Sequence, residues 1–276
     1  MTLPGSRLFS TMAVRVSHTL HFFSVDIALG VAGSMALIGT AAESSLPWQW
    51  YPLVACGTWL VYILDRILDI RRARGCYPTK RHEFIKEHLS AATALAIVLI
   101  ITCSLLIFHV SLADVWPAAL VAASSVVSHH ILQRCGSWRW TGVIKDVHVA
   151  VAYTAGTAVV PLSYGQLSLQ AFAAIAVVFF CTAAIVAVES AADVSVDEHL
   201  DQPALARVIG AGACVRLAYG CAALACCAAT LLPWIATLQS LSTMALPLLF
   251  TSRLSLPNKR LMAELVLAMP LTLLSR

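Results

Sequence analysis

Charged residues are scarce in this chain. Only 12 % of its 276 residues are Asp, Glu, Lys or Arg, whereas 59 % are hydrophobic. With a mean hydropathy of +0.82, the chain has apolar runs near the ~20 residues that cross ~30 Å of hydrocarbon, so an ordinary water-soluble domain is excluded. The nine cysteines include no C-x-x-C pair, which argues against a zinc site and a disulfide framework. We expect membrane lipid around the protein and no nucleic-acid partner.

The apolar runs and the residues that interrupt them predict an all-α fold, a polytopic membrane bundle of about nine helices. No low-complexity linker divides the chain, so residues 1–276 are interpreted as a single transmembrane domain. The predicted spans are roughly 18–41, 47–68, 90–109, 113–132, 143–163, 168–189, 207–232, 235–252 and 258–275.

Basic residues are missing from every second connection between these spans. All Lys and Arg residues except Arg276 fall in the N-terminal segment, in the second, fourth, sixth and eighth connections, or in the parts of the spans next to these connections. Because Lys and Arg collect on the cytoplasmic side of membrane proteins, this pattern predicts a cytoplasmic N-terminus and an odd number of spans. The protein is therefore expected to be a multi-pass integral membrane protein.

The acids are concentrated in two ladders, each at the predicted cytoplasmic end of an apolar run. Within each ladder they recur at every fourth position, so a continuous helix would place them on one face. Like charges stacked in this way repel, which points to a bridging cation and to a metal-assisted active site. The first ladder is Asp65 and Asp69; the second is Glu189, Asp193, Asp197 and Asp201.

Acids and bases that meet above an apolar bundle suit a substrate with a diphosphate head and a hydrocarbon tail. Carboxylates can hold Mg²⁺, Lys or Arg can bind the phosphate oxygens, and the bundle can enclose the tail. Tyr62 stands three residues before Asp65, where its ring could stabilise a carbocation. Candidate bases follow the first ladder at Arg71, Arg72, Lys80 and Arg81.

The two acid motifs and the helix count resemble the UbiA superfamily of intramembrane prenyltransferases. That family usually carries N-D-x-x-D-x-x-x-D and D-x-x-D-x-x-x-D at the ends of its second and sixth helices. Here the last two aspartates of each motif are kept, at Asp65 with Asp69 and at Asp193 with Asp197. The leading acids are replaced by Tyr62 and Ser190, and the Asn position holds Val61.

The resemblance implies a UbiA-like bundle in which Mg²⁺ assists transfer of an isoprenoid from its diphosphate, geranyl, farnesyl or longer, to an acceptor. The acceptor would be aromatic, quinone-like or a lipid, and the active site would face the cytoplasm. Glu189, one helical turn before Asp193, could replace the missing acid. The implied metal ligands are Asp65, Asp69, Asp193, Asp197 and Glu189; the same four aspartates and Tyr62 are the catalytic candidates. The implied diphosphate-binding residues are Arg72, Lys80, Arg81 and Lys145.

Two alternatives stay open at this point. Some relatives with altered motifs are terpene cyclases, in which the cation attacks its own double bonds and no acceptor is needed. The chain could also be a non-catalytic protein that binds an isoprenoid or another lipid, with the acids serving as helix-end salt bridges. Asp26 is a further polar candidate, because an acid inside a span is costly unless it is paired, hydrated or protonated.

Overall fold

The computed structural model describes residues 23–72, 80–110, 112–134, 140–199 and 203–232. Within these ranges the chain forms nine α-helices and no strand. The all-α prediction is therefore confirmed for the part of the chain that is described. The helices are α1 (Val25–Ala41), α2 (Trp50–Arg72), α3 (Lys80–Glu87), α4 (Leu89–Ile107), α5 (Leu112–Arg134), α6 (Thr141–Tyr164), α7 (Leu169–His199), α8 (Leu205–Ile209) and α9 (Ala211–Ala229).

Six of these helices, α2, α4, α5, α6, α7 and α9, are long and apolar enough to cross a membrane. A seventh, α1, is apolar but shorter, at 17 residues, or about 26 Å. The chain is thus a multi-pass membrane α-protein. Each of the first seven predicted spans overlaps one of these helices, whereas residues 18–22 of the first span and the predicted spans 235–252 and 258–275 lie outside the described residues.

Helix α1 lies at the centre of the bundle and packs against α2, α6 and α7. Small residues such as Gly30, Gly33 and Ser34 are buried along it, and they let neighbouring helices approach closely. The Ser34 and Tyr153 hydroxyls join α1 to α6 at 3.4 Å. Trp59 of α2 donates its indole N–H to a carbonyl just before α1. The helix that carries the first acid ladder and the one that carries the second therefore share α1 as a neighbour.

Helix α7 is the most enclosed of the spans, with 61 % of its apolar window buried inside the molecule. It packs against α9 through small side chains, among them Cys214 and Ala218, which are fully buried. Helix α5 lies at the periphery, since none of its apolar window is buried. Its outward side chains include Leu120 and Val127, as expected for a surface that faces lipid.

Two connections differ from the sequence prediction. The predicted seventh span, 207–232, is wrong at its start, because Gly210 adopts φ 86° and separates the short helix α8 from α9. In the second connection, an unpredicted helix α3 packs Ile85 against Ile63 and Ile67 of α2. Both short helices lie next to the ends of the acid-bearing helices.

Candidate functional site

Both acid ladders lie on unbroken helices. Helix α2 continues past Asp65 and Asp69 to Arg72, and α7 continues past Glu189, Asp193 and Asp197 to His199. Within each ladder the backbone therefore places residues four apart on one face, about 6 Å apart along the axis. Asp201 lies outside the described residues. We call the bundle end formed by the last turns of α2 and α7 and the first turns of α6 the acidic end.

At the acidic end, Asp146 of α6 is bound to three other groups. Its Oδ2 accepts a hydrogen bond from the Leu205 backbone N–H at 2.9 Å. Its Oδ1 lies 3.8 Å from Nζ of Lys145, which is an ion pair and not a hydrogen bond. The Ser190 hydroxyl of α7 also interacts with this carboxylate. Only 9 % of the Asp146 side chain is exposed, so this carboxylate has little access to a ligand.

Ser190 connects α7 to the same segment. Its oxygen accepts the Ala206 backbone N–H at 3.0 Å, while its proton is available for Asp146, as the donor and acceptor capacity of a hydroxyl allows. Helix α8 has no side-chain cap of its own, because its N-cap residue is Ala204. Its first amides would otherwise be unsatisfied. Asp146 and Ser190, from two other helices, satisfy them.

Gly142 allows α8 to approach this closely. A Cβ on Gly142 would lie 2.6 Å from the Ala204 carbonyl carbon and 2.7 Å from its nitrogen, with the carbonyl oxygen nearer still. Those atoms belong to the backbone, so they cannot move aside as a flexible side chain would. Glycine at this position is required for the docking of α8 on the first turn of α6.

Lys145 lies among the acids of α7. Its positive charge acts on Asp197, together with the negative charges of Asp193 and Asp146 and the positive charge of Arg207. Burial is the main reason why the pKa of Asp197, which lies beyond the apolar window of α7, is raised to about 6, and the two neighbouring acids raise it further. Simultaneous ionisation of all the acids in the last turns of α7 is therefore unfavourable.

The first ladder reaches the same region through α5. The charges of Asp65 on α2 and of Lys145 on α6 both act on His129 of α5. Another histidine, His148 of α6, is within hydrogen-bonding distance of the Ser128 hydroxyl of α5, at 2.9 Å. Asp65 and Lys145, from two different helices, thus act on the same histidine.

The other predicted site residues are placed as follows. Tyr62 and Glu189 are half-buried on the same helices as the acids. Asp26 is 2 % exposed at the start of α1, where its Oδ1 accepts the N–H of Ile27 at 3.1 Å. The predicted residues whose side chains lie outside the described part of the molecule are Asp69, Arg72, Lys80 and Arg81.

Among the described residues, no three His, Cys, Asp or Glu side chains converge closely enough to hold a metal ion by themselves. Sequence reasoning missed Asp146 and the docking role of Ser190. A signal was available for Asp146, because an acid beside a lysine at the start of an apolar run needs a partner inside the protein. The role of Ser190 could not be found in this way, since its partner amide belongs to a segment 16 residues away.

Comparison of the chain with protein-family models, curated proteins and solved structures found no match. The resemblance to UbiA prenyltransferases accordingly rests on the two acid motifs and on the all-helical membrane bundle. It stays a prediction.

Proposed function

We propose that this chain is a membrane enzyme that ionises an isoprenyl diphosphate with the help of Mg²⁺ and transfers the prenyl group to an acceptor. The observation that supports this most directly is the neighbourhood of Lys145. Its charge acts on Asp197 of the second motif and on His129, and the charge of Asp65 of the first motif also acts on His129. A cation and one carboxylate of each motif therefore lie at the same end of the bundle, which we assign to the cytoplasm.

The donor set fits Mg²⁺ if the substrate supplies part of the coordination. Mg²⁺ takes oxygen ligands and commonly uses one or two carboxylates together with phosphate oxygens and water. Asp193 with Asp197, and Asp65 with Asp69, would each supply such a pair. Burial is the main reason why the pKa of Asp197 is raised, and a divalent cation there would offset the further increase that comes from Asp193 and Asp146. When bound, Mg²⁺ would act as a Lewis acid on the diphosphate leaving group.

The chain's own residues would perform the remaining tasks. Lys145, whose side chain is only 13 % exposed, would bind phosphate oxygens in a partly dehydrated setting, where a charge-assisted contact is strong. Tyr62, on the same helix as Asp65, would present a ring to the developing allylic cation. His129 would accept the proton that an aromatic or phenolic acceptor loses on prenylation. A substrate that cyclises by itself would not need His129 as a base.

A non-catalytic lipid-binding protein is the second candidate. It is favoured by the lack of a three-residue metal cluster in the described ranges and by the commitment of Asp146 to the backbone of α8. In this reading the acids and Lys145 form a salt-bridge cluster that stabilises the helix ends. Such a cluster would not need Mg²⁺ and would not respond to a diphosphate.

The test is to incubate the purified protein in detergent with geranyl, farnesyl and geranylgeranyl diphosphates, with and without Mg²⁺. Phenolic or quinone-like acceptors are added to half of the reactions, and pyrophosphate release and lipid products are measured. Acceptor- and Mg²⁺-dependent turnover, lost in Asp65→Asn and Asp193→Asn but kept in Glu87→Gln, would support the proposal. Glu87 is an exposed acid on α3 and serves as the matched control.

Two other outcomes would overturn it. A cyclic terpene formed from the diphosphate alone would make the protein a UbiA-type terpene cyclase. No Mg²⁺-dependent turnover with any combination of substrates would favour the non-catalytic candidate.

A further inference from the structure

The segment that follows α7 returns to the acidic end and places an arginine there. Ala204, Leu205 and Ala206 are buried, and α8 packs against α6, α7 and α9. Arg207, the next residue, is exposed, and it directly follows Ala206, whose N–H binds Ser190 of α7, three residues before Asp193. The chain therefore anchors three residues firmly and presents the fourth, a cation, near the last turns of α7.

The anchoring is specific and comes from outside the segment. The carboxylate of Asp146 accepts the Leu205 N–H at 2.9 Å, and the hydroxyl of Ser190 accepts the Ala206 N–H at 3.0 Å. Leu205 and Ala206 directly precede Arg207. Because their amides are held by Asp146 and Ser190, the backbone position of Arg207 and the direction of its Cα–Cβ bond are fixed. An arginine on a free loop would lose more conformational entropy when it binds a ligand.

We propose that Arg207 is a further diphosphate-binding residue, and that Asp146 is a positioning residue that acts by holding α8 in place. This inference rests on the function proposed above and deepens it. It adds a phosphate contact on the side of the second motif, whereas the sequence singled out bases that follow the first motif and Lys145.

The guanidinium group suits this task. Arginine can donate two parallel hydrogen bonds to phosphate oxygens and stays protonated at any relevant pH. In the absence of substrate, Asp193 and Asp197 would hold it electrostatically. When metal and diphosphate occupy the site, the same side chain would turn from the carboxylates to the phosphates, which carry more charge. Arg216, on the first turns of α9, is also exposed. It lies nine residues after Arg207 and on the next helix.

The first experiment measures binding of inorganic pyrophosphate with Mg²⁺ to the full-length protein in detergent, by calorimetry. Loss of one charge-assisted contact should weaken binding about tenfold or more in Arg207→Gln. Arg216→Gln is the matched control and should bind as the wild type does. Equal affinity of Arg207→Gln and Arg216→Gln, with normal wild-type binding, would overturn the inference and leave the proposed function standing.

The second experiment tests whether Asp146 acts through Arg207. Asp146→Ala should weaken pyrophosphate binding in the wild-type background but add little in the Arg207→Gln background, because the residue that it positions is already absent. Asp146→Asn keeps an oxygen that can accept the Leu205 N–H, so it should recover most of the affinity. A purely structural Asp146 would instead weaken binding by the same factor in both backgrounds, which would refute the positioning role.

Ser190→Ala provides a variant that keeps Asp146, in case Asp146→Ala does not fold. It removes only the acceptor of the Ala206 N–H and should show the same dependence on Arg207, with a smaller effect. If the wild type binds no pyrophosphate in the presence of Mg²⁺, both proposals fail. If it binds pyrophosphate through Arg207 but turns over no prenyl diphosphate, the anion site stands and the enzymatic function is refuted.

Discussion

Gly142→Ala should loosen α8 from the acidic end. The new Cβ would lie 2.6 and 2.7 Å from two backbone atoms of Ala204, distances that force α8 to shift. A shift large enough to relieve the clash would break the bonds from Leu205 to Asp146 and from Ala206 to Ser190. Each buried polar group left without its partner costs ~1–3 kcal/mol.

The net effect can be estimated from these terms. Two broken bonds give a loss of about 3 kcal/mol, and alanine returns up to about 1 kcal/mol through its better helix propensity. A net loss of about 2 kcal/mol corresponds to roughly 30-fold less protection of the affected amides. Hydrogen exchange followed by mass spectrometry, on peptides that cover residues 203–210, measures this directly in detergent.

Gly156→Ala is the matched control, because Gly156 lies on the same helix and a Cβ there would meet nothing within 4 Å. It should leave exchange in residues 203–210 unchanged and should not lower the unfolding temperature. If Gly142→Ala exchanges in residues 203–210 no faster than Gly156→Ala, the docking of α8 described above is incorrect.

Two further predictions concern the charge of the acidic end and the packing of the bundle. Burial and neighbouring acids raise the pKa of Asp197 to about 6, so between pH ~4 and ~6 the folded chain binds more protons than the unfolded chain. Stability in detergent with a chelator should therefore fall as pH rises through that window, and Asp197→Asn should remove this part of the slope; an unchanged slope would contradict the assignment. Ala218→Leu should lower the unfolding free energy by ~1–3 kcal/mol, because Ala218 is 0 % exposed between α7 and α9 and the added isopropyl group overpacks the contact. Leu224→Ala is the control, since Leu224 is 50 % exposed, and a loss of stability as large as that of Ala218→Leu would refute the packing argument.

The spans could be read from the sequence because a membrane-crossing helix is a local property. It needs only a sufficient length of apolar residues, whose backbone groups are satisfied within the helix. The spacing of the acids placed them on one face only if α2 and α7 continue through them, and the structure shows that both helices do. The start of α9 was misjudged, because a hydropathy profile does not reveal that Gly210 takes a positive φ and breaks the helix.

The candidate site was only partly predictable. The acids of both motifs were proposed because charge is rare in this chain, and Lys145 was proposed from the resemblance to the UbiA family; their roles stay predictions. Asp146 was overlooked for the opposite reason: its partners are backbone amides, which every residue carries and no sequence pattern marks. Ser190 was interpreted as the replacement of a missing acid, whereas its hydroxyl binds an amide of α8 and faces Asp146.

By itself the sequence determined the medium, the helical class and the chemistry that is available at the acidic end, because hydropathy and charge act residue by residue. The tertiary structure decided that one carboxylate of the acidic end binds a backbone amide. Asp146 has the same functional group as Asp193 and Asp197, yet it holds the backbone of α8, since Gly142 lets that backbone come within hydrogen-bonding distance. The same contacts hold the segment that carries Arg207 against α6 and α7. Such contacts join residues that are far apart in the chain, so they exist only once the helices have packed.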